Sequence, residues 1–397
     1  MKPTTLILFS LCLSVFSVAH LFAQTASQEP GQAEARDRDR AVENIEWTQP
    51  PREARGIWFA SRDMLETREQ ILAKLDAIQQ AGYNIVLLDS WFRGYAGFEG
   101  SGVAPRYPGF KDDVFGFIIE ESLKRGLEVH SWPEYGFYAY HTQDPENDPS
   151  AGPILDRHPE LMALSSAGEK YLFNPQFGGF YSMCPSNPKS HELLGQVIVD
   201  SVTLYPALTG VNLDRFRYPE HNYCHCNYCK EHFHRDTGIT LAEFAEGSPE
   251  ARRWLDWRRE QTAVAVETVT RMIREARPGI PITAYVVGPF EMNSKAQGWD
   301  LWAKRGLLDG IAVSMYGADI TRAADRALEL LGDHKHLLIC AISSSQRPEI
   351  FASNIEIARR YSKLGQFTWY AGTIPDKVET LRAGPHQKPA ETTLPAK

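Results

Sequence analysis

The sequence predicts an α/β protein whose residues 52–382 form one (β/α)8 barrel, a TIM barrel. Three observations carry the prediction. Short apolar runs alternate with helical patterns along the chain, and eight such runs can be counted. Runs such as Asn84-Ile-Val-Leu-Leu-Asp89 are apolar throughout, as strands covered on both faces should be. No Gly-x-Gly-x-x-Gly follows the first run, which removes the main support for a doubly wound dinucleotide fold.

The elements follow in order. Residues 56–60 are the first strand, and Thr67 caps a helix to Ala81 with Ile71, Leu72, Leu75 and Ile78 spaced along one face. Gly82 ends that helix, and residues 84–89 are the second strand. A helix over 113–125 stops at Gly126, and the third strand, 127–132, runs into Pro133-Glu134-Tyr135-Gly136-Phe137. The stretch from 138 to about 188 is rich in Pro, Gly, Asn and Asp and reads as a long functional excursion. A helix over 190–204 precedes the fourth strand, 210–214. Beyond a cysteine-bearing loop lies a helix over about 250–276, then a strand at 281–287 and a helix at 299–308. The remaining pairs are strand 310–315 with helix 320–331 and strand 337–342 with helix 349–364. Strand 366–370 and a helix from 375 to about 382 complete the series.

The flanks differ in composition. Lys2 followed by an apolar run over residues 6–19 is too short for a membrane span and reads as a signal peptide, 1–23, with cleavage after Ala23. Residues 24–51 are poor in large apolar residues and read as a flexible tether, and residues 383–397 as a disordered tail. The expected location is therefore secreted or periplasmic, with no stable membrane insertion after signal cleavage. A net charge of −8 argues against nucleic acid as a partner. Nine tryptophans and sixteen tyrosines suit a carbohydrate cleft, and equally a large core.

In a barrel of this kind the working residues sit at the C-terminal ends of the strands. Those ends carry Arg62 and Asp63, Asp89, Glu134, Asp214 with Arg217, Glu291, Tyr316 with Asp319, and Trp369. Several carboxylates among aromatics suit glycoside hydrolysis, which needs one acid to protonate the leaving oxygen and a second carboxylate as base or nucleophile. Asp214 ends an apolar strand and is followed by Arg215 and Arg217, whose charges favour its ionised form as nucleophile or base. Glu134, in Ser-Trp-Pro-Glu-Tyr-Gly-Phe, and Glu291, beyond the fifth strand, are the rival general acids. Trp58, Trp91, Trp132, Tyr316 and Trp369 offer aromatic faces for sugar rings, and Asp89, Arg217 and Asp319 offer polar contacts. For any one acid the plain alternative is a helix cap or an ion pair with arginine. His130 and His141 read as structural.

Cys224, Cys226 and Cys229 lie in Cys-x-Cys-x2-Cys spacing, a poor disulfide framework and a natural thiolate metal site. Cys184, on the excursion, is the preferred fourth ligand, with His225 and His232 as alternatives. Reduced thiols, or one disulfide with a spare, are the competing reading. Cys340 lies inside the seventh strand and reads as core.

The segments Arg-Gly-Ile-Trp-Phe-Ala, His-Ser-Trp-Pro-Glu-Tyr-Gly-Phe and Gly-Val-Asn-Leu-Asp-Arg-Phe-Arg-Tyr-Pro resemble the family 10-like glycosyl hydrolases (GHL10). The resemblance covers most of 52–382. It implies a (β/α)8 barrel, export and hydrolysis of a polysaccharide, peptide-free peptidoglycan glycan being one substrate in that group. It also implies a catalytic role for Asp214 and matches Glu134 to the Glu of the Trp-x-Glu-x-Gly-Phe segment. The cysteine loop resembles that of the family 42 β-galactosidases, which implies structural zinc on Cys184, Cys224, Cys226 and Cys229. That family has Asn-Glu just before its cysteines, where this chain has Asp214-Arg215 and a later Glu220, so galactosidase specificity does not carry over. The expected function is exported glycoside hydrolysis of a polysaccharide or cell-wall glycan. The alternative is a non-catalytic carbohydrate-binding barrel.

Overall fold

The computed structural model describes residues 46–394. The expected signal peptide and most of the expected tether lie outside the described residues. Eight parallel strands close into a barrel: β1 (Ala54–Phe59), β2 (Ile85–Asp89), β3 (Glu128–Trp132), β4 (Gly210–Leu213), β5 (Ile282–Val286), β6 (Gly310–Ser314), β7 (Leu338–Ser343) and β8 (Gly365–Trp369). Each pairs with its sequence neighbour, and β8 pairs with β1 through Ala54 opposite Gly365. The predicted TIM barrel is therefore the fold, with strand limits within two residues of those read from the apolar runs.

Helices pack outside the barrel: α1 (Arg68–Gln80), α2 (Val114–Lys124), α3 (Pro188–Leu204), α4 (Asn227–Thr237), α5 (Pro249–Ala276), α6 (Trp299–Lys304), α7 (Thr321–Leu331), α8 (Pro348–Tyr361) and α9 (Val378–Ala383). Their starts are chemically marked. Thr67 and Gln70 form a capping box on α1, while Asn187 and Ser248 cap α3 and α5, each followed by proline at the first helical position. Ile71, Leu75 and Ile78 of α1 are buried, as their spacing requires. Among the described residues no helix is long and apolar enough to cross a membrane.

Three parts were not read from the sequence. The excursion holds a three-stranded antiparallel sheet of Tyr138–Thr142, Gly178–Ser182 and Tyr171–Asn174. The cysteine loop continues directly into α4, with Cys226 at its N-cap and Gly238 closing it in a left-handed conformation. Both flanks dock where a tether and a loose tail were expected. Thr48 donates to Glu356 Oε1 at 2.9 Å, Glu53 N donates to the Glu391 carbonyl at 2.8 Å, and His386 and Leu394 are buried. The physical reason is the barrel floor, whose open strand starts need covering.

A charged network lies under that floor. Glu53, only 2% exposed, accepts from Arg55 Nε at 2.6 Å and from Arg359 Nε and Nη2 at 2.8 and 2.9 Å. Arg359 also reaches Glu356 at 3.2 Å. Burial alone would raise the Glu53 carboxyl, but contact with Arg359 and Arg55 brings it below the usual range.

Candidate active site and thiol cluster

The mouth of the barrel is organised around Asp214, the residue after β4. Val211 and Leu213 anchor the strand in the core, and Asn212 turns into the barrel. There Asn212 accepts from the Trp58 indole at 3.1 Å and donates to Thr283 Oγ1 at 2.9 Å. Trp58, Trp132 and Trp369 form a triangle with ring centroids 5.9–6.2 Å apart. The Trp132 indole donates to Asp214 Oδ2 at 3.0 Å, while Asp214 Oδ1 has no hydrogen-bond partner among the described residues. Asp214 is 4% exposed. Burial raises its pKa to about 7, with the Glu134 charge adding to the rise and Arg215 and Arg217 opposing it.

The Glu134 charge acts on Asp214 because the chain after β3 lies against the chain after β4. Gly136 makes that contact possible: its φ is +46°, and a Cβ there would come within 2.0 Å of the Asp214 carbonyl oxygen. Arg215 takes a left-handed conformation, φ +51°, uncommon for a side chain of its size. Its guanidinium lies 5.0 Å over Tyr135 and 5.4 Å over Tyr138, and its Nη2 is 3.4 Å from Glu134 Oε1. Arg217 sits 5.3 Å over the same Tyr138 ring. Asp89, at the end of β2, accepts from Trp91 N at 3.1 Å. Burial and the neighbouring Glu134 charge push the Asp89 carboxyl well up.

The fifth loop closes one side. Glu291 is partly buried, which raises its carboxyl against the pull of Arg217. Lys295 Nζ donates to the Pro219 carbonyl at 2.9 Å and contacts Glu220, so it welds the loop after β5 to the loop after β4. Burial and the Arg217 charge pull the Lys295 ammonium down to about 7. On the β8 side the Arg62 guanidinium lies 3.7 Å over Tyr370 and 5.8 Å over Trp369, while its Nε and Nη2 lack hydrogen-bond partners among the described residues.

The structure thus brings Asp214, Glu134, Asp89, Arg217, Trp132, Trp58 and Trp369 together, with Glu291 within electrostatic reach of Arg217. Tyr316 stacks on Tyr285, centroids 6.1 Å apart, and the Asp214 charge acts on both rings. Trp91 is fully buried and donates to the Gly136 carbonyl at 3.0 Å, supporting the turn rather than facing the cleft. Asp319 is exposed and accepts from Thr321 N at the start of α7. Asp63 accepts from Ala60 N and pairs with Lys74. Tyr138 and Tyr285 went unmarked in the sequence. Tyr138 opens the excursion, and nothing in its local pattern marks it as the platform for two arginines.

The thiols of Cys184, Cys224, Cys226 and Cys229 lie within 4.8 Å of one another, all buried, with Cys184 and Cys229 Sγ 3.5 Å apart. Four thiolates around a tetrahedral ion with bonds of about 2.3 Å stand roughly 3.8 Å apart, so the set fits a metal. His232 stacks on Tyr228 and bonds to its carbonyl, and neither it nor His225 joins the cluster. Cys340 is buried in β7, away from the cluster.

A closed parallel barrel with buried acids at the end of β2 and just after β3 and β4 defines a (β/α)8 protein equipped for carboxylate chemistry at its mouth. The chain belongs to the glycosyl hydrolase-like 10 family, whose model matches residues 53–335. It is 22% identical over 311 residues to glycosyl hydrolase DigH of Escherichia coli K12, a match spanning 66% of this chain and 65% of that protein. It is 24% identical over 327 residues to glycosyl hydrolase YngK of Bacillus subtilis 168, spanning 72% of this chain and 58% of the relative. The chain therefore matches less than two thirds of either relative's length. Its fold resembles the glycoside hydrolase domain of PgaB (BpsB) from Bordetella bronchiseptica, with TM-score 0.60, 13% identity and coverage of 84% and 98%. It also resembles the catalytic domain of β-amylase from Paenibacillus polymyxa, with TM-score 0.62, 10% identity and coverage of 86% and 100%.

Proposed function

We propose that the protein is an exported glycoside hydrolase acting on a polysaccharide or cell-wall glycan, with Asp214 as proton donor and Glu134 as its carboxylate partner. The observation that carries this is Asp214 itself: a buried acid with a pKa near 7 and one oxygen without a partner among the described residues. A carboxyl kept protonated near neutrality suits a general acid. This reverses the roles expected from the sequence, where adjacent arginines argued for an ionised Asp214. Burial outweighs them, although Arg215 and Arg217 still pull the value down, and Arg215 also lies 3.4 Å from Glu134. In the reaction Asp214 gives its proton to the glycosidic oxygen, the bond to the anomeric carbon breaks, and the alcohol leaves. Glu134 either takes a proton from the incoming water or bonds the anomeric carbon until water releases it. Trp58 and Trp132 form the floor of the site, with Trp369, Tyr316 and Arg217 facing substrate and Glu291 the remaining nearby acid. Family membership supports the reading. Export rests on the apolar run over residues 6–19.

The Glu134–Arg215 pair favours a second reading, a carbohydrate-binding barrel without turnover. Wild type and Asp214→Asn tested on a polysaccharide panel, peptide-free peptidoglycan glycan included, separate the two. New reducing ends from wild type alone support the hydrolase. Binding without release by both proteins supports the second reading.

We further propose that the four cysteines hold structural zinc. Four protein ligands leave no open position, so the ion would supply cohesion and no step of the reaction. The residues it would hold are Cys184 of the excursion, Cys224 and Cys226 of the loop after β4, and Cys229 of α4. Metal content of the purified protein tests this.

A further inference from the structure

Arg258, on α5, is a buried cation without an acid. It is 4% exposed, and no carboxylate among the described residues pairs with it. Its Nη1 donates to the carbonyls of His221 at 2.8 Å and Tyr223 at 2.7 Å, and lies 3.4 Å from that of Glu220. Its Nε has no hydrogen-bond partner among the described residues. Trp254 and Tyr218 sandwich the guanidinium at 5.1 and 5.4 Å. Carbonyl dipoles and ring faces compensate a buried charge only partly, and an unpaired buried ion costs several kcal/mol. The thiols lie just beyond these groups. Tyr223, which holds Arg258, precedes Cys224 in the chain. Tyr218, which it stacks on, bonds to Ser186 at 2.5 Å, and Ser186 Oγ is 3.4 Å from Cys229 Sγ.

Four thiols that bind one dication give up four protons, so the loaded cluster carries two net negative charges in a buried, weakly screened setting. We infer that Arg258 is the counter-cation of this tetrathiolate centre, a positioning residue that ties the loop over 220–223 to the cluster and offsets its charge. This rests on the zinc reading above. Partners outside the ligand set typically change metal affinity by about 10–100-fold.

The test compares wild type, Arg258→Gln and Arg258→Lys, each loaded with zinc and titrated with a chromophoric chelator, with circular dichroism to confirm folding. Arg258→Gln is expected to lose at least about tenfold in zinc affinity, and Arg258→Lys, which keeps the charge, to lose much less. Equal losses in both variants would assign Arg258 to holding carbonyls alone and overturn the inference. Unchanged affinity in both would also overturn it. Wild-type protein that takes up no zinc would remove the zinc reading first, an outcome distinct from either.

Discussion

Glu53, under the barrel floor, and Asp214, in its mouth, are buried to nearly the same degree, 2% and 4% exposed. Burial pushes both carboxyls up, yet the outcomes are opposite. Glu53 ends below the usual range because Arg55 and Arg359 contact it directly. Asp214 ends near 7 because burial dominates: among the described residues its one side-chain hydrogen bond comes from a neutral indole, and Arg215 and Arg217 offset the burial only in part. The same desolvation thus yields a structural ion pair at one end and a poised acid at the other. Partner geometry decides which, and of the two carboxyls only Asp214 keeps an oxygen without a hydrogen-bond partner among the described residues.

Breaking the floor should give the largest effect. Glu53→Gln leaves Arg55 and Arg359 without their shared anion and should cost about 3–5 kcal/mol in urea unfolding, with turnover per folded molecule retained. A loss below 1 kcal/mol would mean that water, not Glu53, compensates these arginines. The pH–rate profile probes the mouth. If Asp214 must carry its proton, kcat/KM falls as pH rises through about 7, roughly tenfold per unit above it. A flat profile between pH 6 and 9 would remove Asp214 as the donor.

The third effect is smaller and opposite in sign at the two ends. Asp214 has a folded pKa of about 7, above its unfolded value of about 3.9, so the folded state holds the extra proton. Its carboxyl therefore costs stability increasingly as pH rises from about 4 to 7. Asp214→Asn should raise Tm at pH 8 by several degrees and leave it unchanged near pH 3. Glu53 has a depressed folded value, so its contribution is present above about pH 4.3 and is lost as acid protonates it. A lower Tm for Asp214→Asn at pH 8 would contradict the buried-acid account.

The barrel was legible because covered parallel strands leave a local record, as in Ile85–Asp89 and Leu338–Ser343. Asp214 and Glu134 were legible as strand-end acids. Their surroundings were not, since the Glu134–Arg215 pair depends on Gly136 nesting against Asp214, a contact between segments about eighty residues apart. The four-cysteine cluster was legible from spacing plus one distant cysteine. His386 and Leu394 were misread as tail because their partners, the Ala81 carbonyl and the barrel interior, belong to distant parts of the chain. The strands of the excursion were hidden among glycines and prolines that break the alternation on which strand recognition depends.

Both flanks close on the same side of the barrel. Thr48 and Glu53 hold one end, and Glu391 and Leu394 the other, all at the starts of the strands. The two limits of the described chain therefore lie on the barrel face opposite Asp214.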